Sequence, residues 1–97
     1  MLAKLPADRQ VFLAAADLIE IHGHCKGLRQ RREGFCVLGA ISQAATGDPW
    51  KFDGHEEPCA TFARQIGEML PAQWNNAPER TKEEVVSALR ATAFAGL

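Results

Sequence analysis

The sequence predicts an all-α fold, a single four-helix domain spanning 1–97 in which a central buried helix (36–46) is surrounded by the others. Three observations predict it. Apolar residues recur at three- and four-residue spacing in several segments, which gathers them on one face of a helix. Residues that start and stop helices stand at the ends of those segments. The stretch 36–46 is apolar nearly all the way round, as befits a helix inside a protein. The chain has 97 residues, 46% apolar and 24% charged, the composition of one ordinary globular domain.

The first helix spans Pro6 to His22. Pro6 suits a first turn, where its missing N–H costs nothing, and Asp8 suits the positive helix end. Val11, Ala14, Ala15, Leu18, Ile19 and His22 form the inward stripe, with Arg9, Asp17 and Glu20 left for solvent. Gly23 is placed to end it. Residues 24–35 hold no sustained period; Gly27 and Gly34 bracket a basic stretch that fits either a loop or a short hairpin.

The second helix, 36–46, carries Gly39 in its interior. A mid-helix glycine costs about 1 kcal/mol against alanine, so another backbone is expected to pack close there. Gly47, Asp48 and Pro49 close the segment, and Trp50 and Phe52 in the following loop are expected to dock on the core. The third helix begins at Pro58, with Glu56 and Glu57 near its start. Its stripe is Cys59, Phe62, Ala63, Ile66, Met69 and Leu70, and Pro71 ends it. Residues 71–80 read as a connector. Thr81 and Glu84 then stand at capping-box spacing before a fourth helix with Val85, Val86, Leu89 and Ala93 inward. The expected core is Phe12, Leu18, Ile19, Val37, Leu38, Ile41, Phe62, Ile66, Leu70, Trp74, Val86 and Leu89.

Net charge is −1, so no whole-molecule field draws in a polyanion or an anionic membrane. Charge is nevertheless uneven. Residues 1–35 hold six Lys/Arg and four Asp/Glu, a balance of +2, whereas 36–97 hold five and eight, a balance of −3. Three cysteines are an odd number, the N-terminus lacks the apolar core of a signal peptide, and no run nears ~20 apolar residues. These features lead to an expectation of a cytoplasmic protein with reduced thiols and no membrane association.

Four groups of residues bear on chemistry. His24, Cys25, His55 and Cys59 are metal-ligand types, but no C-x2-C knuckle organises them, and buried thiols with partly exposed histidines account for them. Cys36 opens a helix, where free N–H groups favour a thiolate, and His22 or His55 could act as base. Against this, the apolar setting of Val37 and Leu38 makes a thiol inert.

Lys26, Arg29, Arg31 and Arg32 form a basic run beside His22 and His24, able to meet phosphates while Phe35 or Trp50 stacks on a base. No nucleic-acid-binding motif accompanies them, and an acidic protein partner fits the same residues. The string 74–81, from Trp74 to Thr81, reads as a helix connector in which the asparagines make side-chain turns; the alternative is a small polar recess lined by Asn75, Asn76 and Arg80. Phosphate-loop, H-E-x-x-H and G-x-S-x-G motifs are absent, and no cofactor is expected.

Two strings together carry a resemblance. Phe35-Cys36-Val37-Leu38-Gly39-Ala40-Ile41, preceded by the helix Ala15-Ala16-Asp17-Leu18-Ile19-Glu20, and Trp74-Asn75-Asn76 leading to Arg80-Thr81 and Glu84-Val85, resemble a family of small bacterial and bacteriophage proteins of unknown function. The resemblance runs from about Ala14 to Ala93. It implies Asp more often at the position of Asn76, and no known activity, cofactor or site. By analogy it points to a phage or mobile-element accessory protein that binds a host macromolecule.

With no assembled chemistry beside an uneven surface charge, the functional expectation is a non-enzymatic interaction protein. A protein partner would be met by Lys26, Arg29, Arg31, Arg32 and Trp50, with homodimerisation open. The alternative is a small cysteine-centred enzyme or ligand-binding domain using Cys36 with a histidine.

Overall fold

The computed structural model describes residues 7–51, 54 and 56–95. Its elements in chain order are α1 (Ala7–His22), β1 (Gln30–Arg31), β2 (Gly34–Phe35), α2 (Val37–Thr46), α3 (Glu56–Ile66), α4 (Pro71–Asn76) and α5 (Lys82–Phe94). The molecule is mostly helical, but among the described residues there are five helices, not the expected four, and the 24–35 stretch, open between loop and hairpin, adds a two-stranded sheet, so the fold is not purely all-α.

α1 buries Phe12, Ala15, Ala16 and Ile19 along one face. Two adjacent alanines leave that face narrow, which lets neighbours approach from two directions. α5 packs on one side with Val85, Val86, Leu89 and Ala93, and α2 on the other with Val37, Ala40 and Ile41. The hub is therefore α1, not 36–46. α2 is buried along its first half, while Ala45 is exposed and Gln43, Ala44 and Thr46 are half-buried. An all-round apolar composition is compatible with this because its C-terminal residues are small. Arg9, expected in solvent, instead donates from Nη1 to the Thr92 carbonyl (2.7 Å) and ties α1 to the far end of α5. Ala14 and His22 lie outside the buried face.

The close approach expected at Gly39 is present: a Cβ there would collide with the carbonyl of Arg29, whose oxygen accepts from the Cys36 N–H at 3.0 Å. Residues 30–35 form the hairpin alternative, with Gln30 opposite Phe35 and Arg31 opposite Gly34. The other edge of β2 pairs in parallel with His24, through Phe35 N–H to Gly23 O and Cys25 N–H to Phe35 O, both 3.0 Å. Gly23 and Gly34 abut so closely that a Cβ on Gly34 would strike the Gly23 carbonyl.

α3 begins at Glu56, two residues before the expected Pro58, and stops at Ile66. Gly67 takes φ +73°, and the Glu68 N–H closes back on the Ala63 carbonyl at 3.1 Å, a Schellman ending. Met69 and Leu70 are consequently carried off the stripe and are exposed, at 93% and 56%, which removes Leu70 from the expected core. Pro71 does not end α3 but sits in the first turn of α4, within what the sequence presents as a connector. Leu18, Leu38, Ile66 and Trp74 pack half-buried against the core, and the remaining expected core residues are buried. Trp50 is 44% exposed rather than docked; Pro6 and Phe52 lie outside the described residues. No described helix is long and apolar enough to cross a membrane.

Candidate functional site

Asn75 sits on α4 with no exposed surface, and its amide joins α4 to the 24–25 segment and to the start of α2. Oδ1 accepts from the Val37 N–H at 2.9 Å, which fixes the orientation of the amide, and from His24 Nε2 at 2.8 Å. An amide oxygen only accepts, so Nε2 is the donating nitrogen of that imidazole. Nδ2 donates to the Cys25 carbonyl (3.1 Å) and to Asn76 Oδ1 (3.0 Å), which also accepts from the Gly27 N–H (2.9 Å). Both lone-pair directions and both protons of Asn75 are thus used by the protein. Asn75, Asn76 and Arg80 do not converge on a recess. Arg80 lies over the Trp74 ring at 4.2 Å, donates from Nε to the Trp74 carbonyl and pairs with Glu84 at 2.9 Å. Trp74 in turn meets Phe62 edge-on, with centroids 5.5 Å apart.

The cysteines are free thiols in apolar settings. Cys36 caps α2, its Sγ accepting from the Gly39 N–H at 3.3 Å. Burial pushes its pKa up despite that N–H and the nearby Arg29 guanidinium, so desolvation outweighs the helix end. Burial also pushes Cys25 and Cys59 to about 11. The Cys25 thiol donates to the Leu28 carbonyl at 3.3 Å. The exposed His22 ring lies edge-on to Phe35, with centroids 6.0 Å apart, and His55 is outside the described residues. Among the described residues, no group of three or more His, Cys, Asp or Glu side chains could hold a metal ion.

The basic run divides in two. Lys26 is half-buried and its Nζ donates to the carbonyls of Ala77 (2.6 Å) and Pro78 (3.3 Å), just beyond the end of α4. Arg29 Nη1 donates to the carbonyls of Lys51 (2.9 Å) and Pro49 (3.4 Å), fastening the loop after α2. Ser42 holds the same loop, its hydroxyl donating to the Asp48 carbonyl at 2.7 Å. Both cations are thus engaged inside the molecule.

Arg31 and Arg32 are exposed. Arg31 Nε donates to the Lys26 carbonyl at 3.0 Å, and neither arginine is in an ion pair among the described residues. They line, with His22, Gln30, Gly34 and Phe35, a cleft of about 210 Å³. Phe35 is 7% exposed, so its face is not available for a base to stack on.

Sequence reasoning singled out Asn75 but not its role. Apart from Asn76, its partners lie 38 to 51 residues away, beyond any local spacing rule. The cleft depends on a hairpin that the sequence left as one of two alternatives.

The model of a "Family of unknown function (DUF6197)" matches residues 4–95, and the chain belongs to that family. No curated protein and no solved structure matches it.

Proposed function

We propose that this family member is a non-enzymatic interaction module that meets a protein partner through the tip and side of its basic hairpin. The observation that carries the reading is the pair Arg31 and Arg32. They are exposed, line a cleft and are outside any ion pair among the described residues, while Lys26 bonds the carbonyls just beyond α4 and Arg29 fastens the loop after α2. Two guanidiniums held on a short, anchored hairpin need little ordering when a partner arrives, which favours binding over an equally charged mobile loop. Trp50, 44% exposed in the loop that Arg29 fastens, supplies aromatic area next to the same segment. The resemblance to small bacterial and bacteriophage proteins supports an accessory role against a host macromolecule, and three free thiols fit a reducing cytoplasm.

The test is affinity capture from host-cell extract with the wild-type protein and an Arg31→Glu/Arg32→Glu variant. The wild type is expected to retain a protein that the variant loses, while the two show the same circular dichroism. Identical capture by both would remove the hairpin from the interaction.

A further inference from the structure

We infer that the cleft beside the hairpin accepts carboxylate side chains from an extended, acidic and partly apolar peptide segment of the partner. The inference rests on the interaction reading above and adds the chemistry of what is bound. Residues that carry hydrogen-bond donors line the cleft from two elements: His22 from the end of α1, and Gln30, Arg31 and Arg32 from the hairpin. Arg31 uses one of its five N–H donors on the Lys26 carbonyl, which orients the guanidinium and leaves the others for a carboxylate.

The ladder supplies a second observation. Cys36 N–H bonds to Arg29 O, so Arg29 and Cys36 form a hydrogen-bonded pair, and Gln30 with Phe35 is the non-bonded pair that follows it. Phe35 spends its N–H and carbonyl on Gly23 and Cys25, on the far side. The N–H and carbonyl of exposed Gln30 therefore point away from β2, along the outer edge of β1, where an extended chain can bond to them.

Size, charge and neighbours decide between a peptide and a nucleic acid. About 210 Å³ holds one or two side chains, not a phosphate backbone tracked along a groove. The molecule is net negative, which withholds the long-range attraction that a polyanion needs. Ile21, 74% exposed, precedes His22 in α1, and Leu28, 47% exposed, precedes the hairpin, so the elements that form the cleft also carry apolar surface outside it. Asn75 holds His24 and Cys25, the segment that pairs with Phe35, and Gly23 abuts Gly34, so the hairpin is anchored before anything binds.

The experiment titrates isotope-labelled protein with a blocked peptide of alternating glutamate and leucine, its glutamine counterpart, and a single-stranded oligonucleotide of equal charge, followed by amide NMR. The glutamate peptide is expected to shift the amides of His22, Gln30, Arg31 and Gly34. Affinity should fall about tenfold with the glutamine peptide and with an Arg31→Gln/Arg32→Gln variant, as expected when two guanidinium–carboxylate pairs are removed. Arg32→Gln alone, which leaves the Arg31 anchor to Lys26 intact, should show part of that loss. Equal response to the glutamine peptide, tighter binding of the oligonucleotide, or no shift at millimolar peptide would each overturn the inference. Hairpin-dependent capture of a host protein together with silent peptides would discard the carboxylate chemistry alone. Silence in both experiments would discard the interaction reading with it.

Discussion

Asn75 is a polar residue placed where an apolar one of its size would leave the fold unconnected. Replacing it with alanine strands the Val37 N–H and the Cys25 carbonyl inside the protein, each worth roughly 1–3 kcal/mol. Asn75→Ala is expected to lower stability by about 2–4 kcal/mol in urea unfolding, a large effect for a single amide. Gly39 makes a complementary prediction. Alanine improves an open helix by about 1 kcal/mol, but here its methyl would meet the Arg29 backbone, which cannot turn aside as a side chain can. Gly39→Ala should therefore destabilise, and a rise in the urea midpoint would refute the close approach.

The thiols give a pH dependence. Cys25 and Cys59 ionise near 11 when folded and near 9 when unfolded, so the unfolded chain loses its protons first. Their contribution is complete below pH 9 and is lost as pH rises through 11. The sequence contains no tyrosine to titrate in the same window. The urea midpoint is expected to drop between pH 9 and 11, and to drop less in Cys59→Ala. At this scale Gly39 was legible because a mid-helix glycine has a local cost to explain. Asn75 was not, because its bonds connect residues that only the finished fold brings together.

Among the elements, α5 is the one whose start could be read directly. Thr81 accepts from the Glu84 N–H at 3.1 Å and Glu84 accepts from the Thr81 N–H at 3.1 Å, the reciprocal cap that their spacing predicts. The Thr81 N–H, its hydroxyl and Arg80 hold the Glu84 carboxyl below its ordinary range. Thr81→Ala is expected to cost about 1 kcal/mol, seen as a lower unfolding midpoint with the rest of the spectrum unchanged. The α3 stripe misled for a reason that is also local. Its period continues into Met69 and Leu70, but Gly67 can adopt a left-handed conformation and stops the helix first. α4 has only six residues, too few for a period to show, and its proline stands where either an end or a beginning is allowed.

For the whole molecule, the sequence carried the helical class and most of the core, but not which helix the others share. Apolar composition around all sides of 36–46 argued for the centre; the alanine pair of α1 decided it, because small side chains admit neighbours on two flanks. The basic run likewise showed its charge but not its division between half-buried cations that tie distant segments and exposed ones, since that depends on which carbonyls lie within reach.

The bond from Arg9 to the Thr92 carbonyl, with α1 lying against α5, joins segments 83 residues apart. During synthesis α1 emerges from the ribosome with its principal neighbour still unmade, and the flank of its apolar face that α2 does not cover waits until α5 has followed. The nascent chain must therefore stay unaggregated at least until α5 is made, which makes the short alanine-rich face of α1 an advantage before folding as well as after it.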